Sequence, residues 1–411
     1  MNTELSAQRQ YTAIYRLRDM TVALYLISSD LFTYSLLHDI MRAAVVVFHV
    51  FMLVFSDTKQ PMRPQLLWQS IFLIYFSFHT LLGCSISPST SANQILLSLM
   101  NMMLLNMLIC MIKSERGLRK FINLYTATML AKTVIVLLLQ RHELVTVRLG
   151  TTHFSLPVLG LVQYNANMLG MSAALCILLQ LYLFDGNRGE SWRLGFMAVN
   201  ALVVLLSGSR KALMLAILFV FLFQFFNQPK YRLRNLVLTG LLGAAALFLV
   251  LNVESLYNVI GYRLINWMQS LFGGQLEESS AISRSNMFHS AVYWLGLRPF
   301  TGYGLDCFRY LAGSYGTYSH NNYMELMISG GIQVPFLYYW FYLYLLWQNL
   351  FRHKQERKLR ALALCPILLL PVMESGWITY SSGLAMIFLA LACSLQARSN
   401  DEMRSKERYV W

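Results

Sequence analysis

Long apolar runs recur along the whole chain and are separated by short polar segments. A helix needs about 20 mainly apolar residues to cross the hydrocarbon core of a bilayer. The pattern predicts an all-α polytopic membrane protein, a single helical bundle of about twelve transmembrane helices. The predicted spans are residues 20–38, 42–56, 65–83, 94–112, 121–140, 165–184, 194–208, 211–227, 235–253, 330–350, 361–375 and 377–396.

The basic residues predict how these helices are oriented. Most of the 33 Lys and Arg residues lie in alternate loops, on the side that also holds the N-terminus. Because cytoplasmic loops carry an excess of Lys and Arg, both termini are expected in the cytoplasm. The predicted order is transmembrane helices 1–9 in residues 1–253, an extracytoplasmic loop in 254–329, helices 10–12 in 330–396 and a cytoplasmic tail in 397–411. The polar, basic first twenty residues predict no cleavable signal peptide.

Composition narrows the class of protein further. The chain is 56% hydrophobic and 13% charged, whereas soluble domains carry about 25% charged residues. Its net charge of +14 would suggest nucleic acid as a partner for a soluble protein, but here the basic inner loops account for it. We therefore expect membrane lipids and no nucleic acid as partners. Cys84 and Cys307 are the only cysteines predicted in loops, and they are either paired or free.

The stretch "LLSGSRKALM" (205–214) places two adjacent cations, Arg210 and Lys211, at the centre of an apolar run. That run is too long for one span and fits two short ones, with the break at Gly208 and Ser209. The cations then lie at the outer tip of a helical hairpin, although Lys and Arg are disfavoured on that side. The N-terminus of the following helix beside a guanidinium would form an anion site. The alternative is a hairpin tip whose cations bond only to carbonyl groups.

The loop 254–320 is the only long segment on the predicted outer side, and its aromatic content predicts an ordered structure. Within it, "SRSNMFHSAVYWLGLR" (283–298) has the spacing of an amphipathic helix, which we expect at the membrane surface. Arg284 lies at the start of that helix. The apolar residues that set the spacing are Met287, Ala291, Trp294 and Leu295.

The turn-rich segment "PFTGYGLDCF" (299–308) leads to "SHNNYMELMISGGIQVP" (319–335), which holds His320 and Glu325. A lone histidine at this position is either structural or catalytic. Glu325 lies about one and a half helical turns further on, so it need not face His320. Gly330 and Gly331 would let a short helix bend into the next span.

Together, "GSRKALM", "RSNMFHSA", "PFTGYGLDCF" and "HNNYMELMISGGI" resemble the motifs of the O-antigen polymerase/ligase superfamily, in the same order along the chain. That superfamily includes Wzy-type polysaccharide polymerases and the ligases that attach O-antigen to lipid A core. The resemblance implies a GT-C-like glycosyltransferase of the bacterial cytoplasmic membrane, with its active site outside the cytoplasm. It would be metal-independent and cofactor-free, with a glycan on undecaprenyl pyrophosphate as the donor.

The resemblance also implies the site residues. Arg210 matches the arginine of the hairpin, Arg284 the arginine that precedes the loop helix, and His320 the histidine of the HN motif. These three are the predicted catalytic residues. The predicted ligands of the pyrophosphate or glycan are Arg210, Lys211, Arg284, Arg263, Arg148 and Glu325, of which Arg263 is an alternative to Arg284.

The residues leave three functions open. The motif "GSRKAL" looks more like the versions found in polymerases. These enzymes join lipid-linked repeat units into O-antigen or capsule. A ligase would instead transfer the glycan to lipid A core, and either enzyme would work with a flippase and a chain-length regulator protein. A transporter or flippase is the competing class, and it would predict broken or charged spans in both halves and an internal repeat. Asp30 and Lys132 are the only clear charges well inside the predicted spans and away from their ends, and no two-fold repeat is evident.

Overall fold

The computed structural model describes residues 2–32, 35–55, 63–142, 148–150, 153–156, 160–163, 165–186, 188–271, 279–351 and 356–398. The first helices along the chain are α1 (Asn2–Leu31), α2 (Leu36–Phe55), α3 (Arg63–Leu81), α4 (Pro88–Ile112), α5 (Glu115–Leu139), α6 (Ala166–Leu183), α7 (Ser191–Leu206) and α8 (Arg210–Asn227). The others are α9 (Arg232–Asn252), α10 (Glu254–Leu256), α11 (Tyr262–Leu271), α12 (Ser279–Leu297), α13 (Asn322–Gly330), α14 (Val334–Phe351), α15 (Arg357–Glu374) and α16 (Gly383–Ala392).

The helical character predicted from the apolar runs is confirmed, since each of the twelve predicted spans overlaps a helix. Among the described residues, five helical segments are long and apolar enough to cross a membrane. These segments are Pro88–Ile112, Glu115–Leu139, Ala166–Leu183, Arg210–Asn227 and Pro229–Asn252. Helices α7 and α16 are apolar but shorter. The count of twelve transmembrane helices therefore stays a prediction.

The bounds of the first predicted span, 20–38, differ from those of the helices. Helix α1 ends at Leu31 and α2 begins at Leu36. Polar groups accompany this break: the Ser28 hydroxyl lies 3.1 Å from Nδ1 of His38, and the Ser35 hydroxyl donates to the carbonyl of Phe32. An apolar run that includes several serines can thus hold two helices.

A small antiparallel hairpin adds to the predicted all-α fold. Strand β1 (His153–Leu156) pairs with β2 (Gly160–Gln163), with His153 opposite Gln163. The sequence between the strands contains Pro157, and β2 begins at Gly160, which are typical turn residues. Two four-residue strands are too short to stand out from the surrounding apolar pattern.

The chain divides into two compact units. The first consists of Met1–Lys59, Glu115–Phe221 and Leu233–Gly261, and the second of Gln60–Ser114, Leu222–Arg232 and Tyr262–Trp411. In the first unit, α6 packs against α5 and α7, and α1 packs against α2 and α5. In the second unit, α4 packs against α3 and α16, α14 against α3 and α15, and α12 against α13.

Helix α6 is the central element of the first unit, because almost all of its residues are buried. Gly170 permits its close approach to Ser207, directly after α7, and to Ala212 in the first turn of α8. A Cβ atom at Gly170 would lie 2.8 Å from Cβ of Ala212 and 3.1 Å from Cβ of Ser207. Real Cβ atoms are not found at the shorter of these separations, so a side chain at this position must displace its neighbours.

We expect Gly170→Ala to lower the stability of the purified protein in detergent by about 1–3 kcal/mol, since the added methyl group overpacks this contact. Gly195 in α7 is the matched control, because a Cβ atom there has no neighbour within 4 Å. Gly195→Ala should be neutral or slightly stabilising, since alanine favours a helix interior over glycine. Thermal unfolding midpoints measure both effects, and equal midpoints for the two variants would contradict the packing described here.

Candidate functional site

The predicted break at Gly208 is present in the first unit. Helix α7 ends at Leu206 and α8 begins at Arg210. Gly208 has a φ of +59°, in the left-handed region that favours glycine. Ser209 caps α8, because its hydroxyl accepts the N–H of Ala212 at 3.3 Å. Arg210 and its neighbour Lys211 thus occupy the first two positions of a capped helix, and both side chains are half-buried.

Arg148 holds this turn. Its Nε donates to the carbonyl of Ser207 at 2.9 Å, and its Nη2 donates to Oδ1 of Asn167 at 3.1 Å. A Cβ atom at Gly208 would lie 2.9 Å from Nε of Arg148 and 2.8 Å from the carbonyl oxygen of Val259. A cation at the C-terminal carbonyls of α7 is well placed electrostatically. Arg148 therefore supports the turn that carries Arg210.

In the second unit, α12 packs its predicted apolar face against residues of the following segment and of α13. Met287 and Ala291 are buried there, and Trp294 and Leu295 pack against them. The other members of the cluster are Tyr303, Cys307, Phe308, Leu311, Met324, Met327 and Ile328. Other residues of the protein therefore cover this face of α12 at Met287 and Ala291, and the position of the helix relative to the membrane surface stays a prediction.

The other predicted arginines of the second unit lie on α11 and α12. Arg284 is half-buried and lies on α12, three residues before Met287. Arg263 lies in α11, and its side chain is outside the described part of the chain. The structure thus places Arg148, Arg210 and Lys211 in the first unit and Arg263, Arg284, His320 and Glu325 in the second.

His320 occupies a strained turn immediately before α13. Its φ is +56°, a left-handed conformation that costs a non-glycine residue about 1–3 kcal/mol. Its ring packs against Tyr318, with 4.4 Å between the ring centroids. Such strain persists only where the surroundings fix the conformation, and it is often found at functional sites. The imidazole is half-buried.

Side chains fix the residues on both sides of His320. On one side, the N–H of Ser319 donates to Oε2 of Glu325 at 2.7 Å. On the other, the side chain of Asn321 caps α13 by accepting the N–H groups of Tyr323 and Met324 at 3.0 and 3.2 Å. A carboxylate that reaches back to a backbone N–H and an amide that caps the helix together resemble a capping box.

A further anchor is the residue that follows the cap, Asn322. Its Nδ2 donates to Oε2 of Glu374 at 3.2 Å and to the hydroxyl of Tyr339 at 2.9 Å. Its Oδ1 accepts the N–H of Thr379 at 3.0 Å. The start of α13 is thereby tied to α14, to the end of α15 and to the segment after it.

Glu325 is completely buried, and no described group is hydrogen-bonded to its Oε1. Burial, together with the nearby Asp306, raises the pKa of this carboxyl to about 7, although the Ser319 N–H and Arg309 partly oppose the rise. Asp306 is itself paired with Arg309 at 2.5 Å. The carboxyl of Glu325 is therefore poised to change protonation near neutral pH.

Residues 195–339 match the family model described as O-Antigen ligase. The match confirms the resemblance to the O-antigen polymerase/ligase superfamily, and it supports a role in the assembly of O-antigen or a related polysaccharide. No curated protein matches the chain.

The segment that matches the O-antigen ligase family contains both turns described above. Arg210 and Lys211 lie near its start, and Arg284 and His320 lie towards its end. Arg148 lies outside it, and so does Glu374. Among the described residues, no group of three or more His, Cys, Asp or Glu side chains could hold a metal ion. Cys84 and Cys307 are both free thiols.

Sequence reasoning missed Glu374 and the importance of Asn322. The signal for Glu374 was a carboxylate at the end of the predicted span 361–375, because an ionisable group in a membrane segment is a candidate functional residue. Asn322 lies in the quoted "HNN" motif, but the residue types there favour the histidine as the catalytic candidate. Their pairing joins residues far apart along the chain, which no local spacing reveals.

We expect Glu325→Gln to remove a pH dependence of stability. Since the pKa is raised from 4.5 to about 7 in the folded protein, folding stabilises the protonated carboxyl. This stability is fully present below pH 4.5 and is lost as the pH rises towards 7, by up to about 3 kcal/mol in total. Glutamine keeps an oxygen for the Ser319 N–H but cannot ionise.

Thermal unfolding of wild-type protein and Glu325→Gln across this pH range measures the effect. The variant should become the more stable of the two as the pH rises. Glu254→Gln is the control, since Glu254 is exposed, and its curve should follow that of the wild type. Parallel curves for wild type and Glu325→Gln would contradict the raised pKa.

Proposed function

We propose that this protein polymerises undecaprenyl-pyrophosphate-linked oligosaccharide repeat units into O-antigen or capsule. The reaction would take place on the outer face of the bacterial cytoplasmic membrane, by metal-independent glycosyl transfer. The observation that carries the proposal is that the family-matched segment, residues 195–339, contains both the Arg210 turn and the anchored His320 turn. The membrane topology belongs to the proposal, with twelve spans, cytoplasmic termini and a GT-C-like arrangement.

The arginines are assigned to the donor. In the proposed step, the bond between the anomeric carbon and the pyrophosphate oxygen breaks, and undecaprenyl pyrophosphate leaves with the electron pair. Arg210 and Arg284 would neutralise the developing charge, because a guanidinium binds phosphate bidentately and does not lose its proton. Lys211 and the N-terminus of α8 would add to the positive potential, with Arg263 as an alternative to Arg284.

His320 is assigned to the acceptor. Its imidazole would accept the proton of the attacking sugar hydroxyl while the oxygen of that hydroxyl forms the new bond to the anomeric carbon. A single displacement of this kind inverts the configuration at that carbon. Glu325 is buried, so we assign it a supporting role, in which it holds Ser319 beside His320, and Arg148 similarly supports the Arg210 turn.

A ligase is the second candidate, and the description of the family that matches favours it. The motif "GSRKAL" favours a polymerase. The two differ only in the acceptor, which is a second lipid-linked repeat unit for a polymerase and lipid A core for a ligase. The anchored turns fit covalent transfer better than passage of a lipid-linked glycan, so a flippase is the weaker alternative.

The acceptor experiment separates these functions. Purified protein in liposomes receives the lipid-linked repeat unit alone or together with lipid A core. A ladder of longer lipid-linked products without the core supports the polymerase. Transfer that requires the core supports the ligase and overturns the polymerase, and an unchanged donor in both reactions overturns glycosyl transfer.

We expect Arg210→Lys to abolish most transfer while the protein stays folded in the membrane. Lysine keeps the charge but lacks the planar fork that binds two phosphate oxygens. The length distribution of surface polysaccharide in cells that carry the variant measures the effect. Arg232→Lys, at the exposed start of α9, is the control and should give normal lengths. Normal lengths with Arg210→Lys would remove Arg210 from the site.

We expect His320→Ala to lower the transfer rate by about 10²–10⁴-fold, the usual contribution of a general base, and to leave the affinity for the lipid-linked donor nearly unchanged. Single-turnover rates and donor binding by the purified protein measure the two quantities separately. His320→Gln tests a purely structural role, because it keeps a hydrogen-bonding side chain but cannot take up a proton at neutral pH. Near-normal turnover with both variants would exclude His320 as the base.

A further inference from the structure

Glu374 is a carboxylate that is buried completely at the end of α15 and surrounded by hydrogen-bond donors. Oε1 accepts the hydroxyl of Tyr342 at 2.9 Å and that of Thr379 at 2.5 Å. Oε2 accepts hydrogen bonds from the hydroxyl of Tyr339 and from Nδ2 of Asn322. Four side chains from α13, α14 and the segment after α15 thus converge on one carboxyl group.

This network reaches the His320 turn through Asn322. Asn322 is fully buried and is the first residue of α13, directly after the cap residue Asn321. Its amide bonds to Glu374, Tyr339 and the N–H of Thr379. A buried polar network whose members are all satisfied is rigid and fixes one arrangement of its elements. The position of α13, and of the turn that precedes it, is therefore set by contacts around Glu374.

We propose that Glu374 is a positioning residue for His320, which holds the imidazole in place through Asn322 and the start of α13. The proposal rests on the proposed function for its catalytic meaning. The left-handed backbone of His320 needs such support, since a strained conformation persists only when surrounding contacts determine it. Glu374 does not contact His320 in this network, so it acts through other residues and not on the substrate.

The first experiment observes His320 directly and requires no activity. Protein with isotope-labelled histidine is studied by NMR in detergent micelles, and the His320 signal is assigned by its loss in His320→Gln. Glu374→Gln should change the chemical shift of the His320 imidazole and broaden or split its signal. Tyr339→Phe, which removes one hydroxyl from the network, is a milder second variant and should act in the same direction.

Asn349→Ala is the matched control. Asn349 is also fully buried on α14, and its Nδ2 donates to the carbonyl of Ala392 at 2.9 Å. Its loss removes a buried polar contact of the same helix, away from the network around Glu374. The His320 signal should be unchanged in this variant. An unchanged His320 signal in both Glu374→Gln and Tyr339→Phe, or an equal change in Asn349→Ala, would overturn the positioning role.

The second experiment measures transfer. Glu374→Gln should lower turnover roughly 10- to 100-fold, the scale expected when a reacting group is displaced by about an ångström, and should leave donor affinity unchanged. In a His320→Ala background, the same substitution should have little further effect, because it acts through His320. Full additivity of the two losses would overturn the proposal. If wild-type protein transfers no glycan, the proposed function fails, while the NMR experiment still decides whether Glu374 positions His320.

Discussion

A helix that breaks inside an apolar protein exposes backbone N–H and C=O groups that must find partners within the protein. This constraint shapes the Arg210 turn in the first unit and the His320 turn in the second. At the first, Arg148 donates to the carbonyl of Ser207, where α7 ends. At the second, Glu325 accepts the N–H of Ser319 and Asn321 caps α13. In each turn a side chain from outside the turn satisfies the backbone.

The contacts that satisfy the backbone also hold the residues that we assign to catalysis. Ser209 caps the helix that begins at Arg210. Hydrogen bonds hold Ser319 and Asn322, which lie on the two sides of His320. A catalytic group is effective only when its geometry is held within narrow limits. The hydrogen bonds that satisfy the backbone groups of each turn would therefore also fix the geometry of the residue assigned to catalysis.

The sequence predicted the features that depend on local pattern. The apolar runs predicted the helices, Gly208 and Ser209 predicted the break before Arg210, and the short motifs predicted the family. The partners across the structure were not predictable, because Asn322 and Glu374 lie far apart in sequence, as do Arg148 and Ser207. The apolar face of α12 was recognised, but its partner was not, since amphipathic spacing alone does not distinguish a protein core from a membrane surface.

The proposed function depends most on a covalent step in which a lipid-linked glycan loses its pyrophosphate lipid. Its most direct test is the amount of free undecaprenyl pyrophosphate that the purified protein releases from a defined lipid-linked oligosaccharide, with a chelator present and without ATP or nucleotide sugar. We predict one released lipid for each new glycosidic bond, with inversion at the anomeric carbon. Movement of the intact donor between leaflets, with no released lipid, would contradict the account.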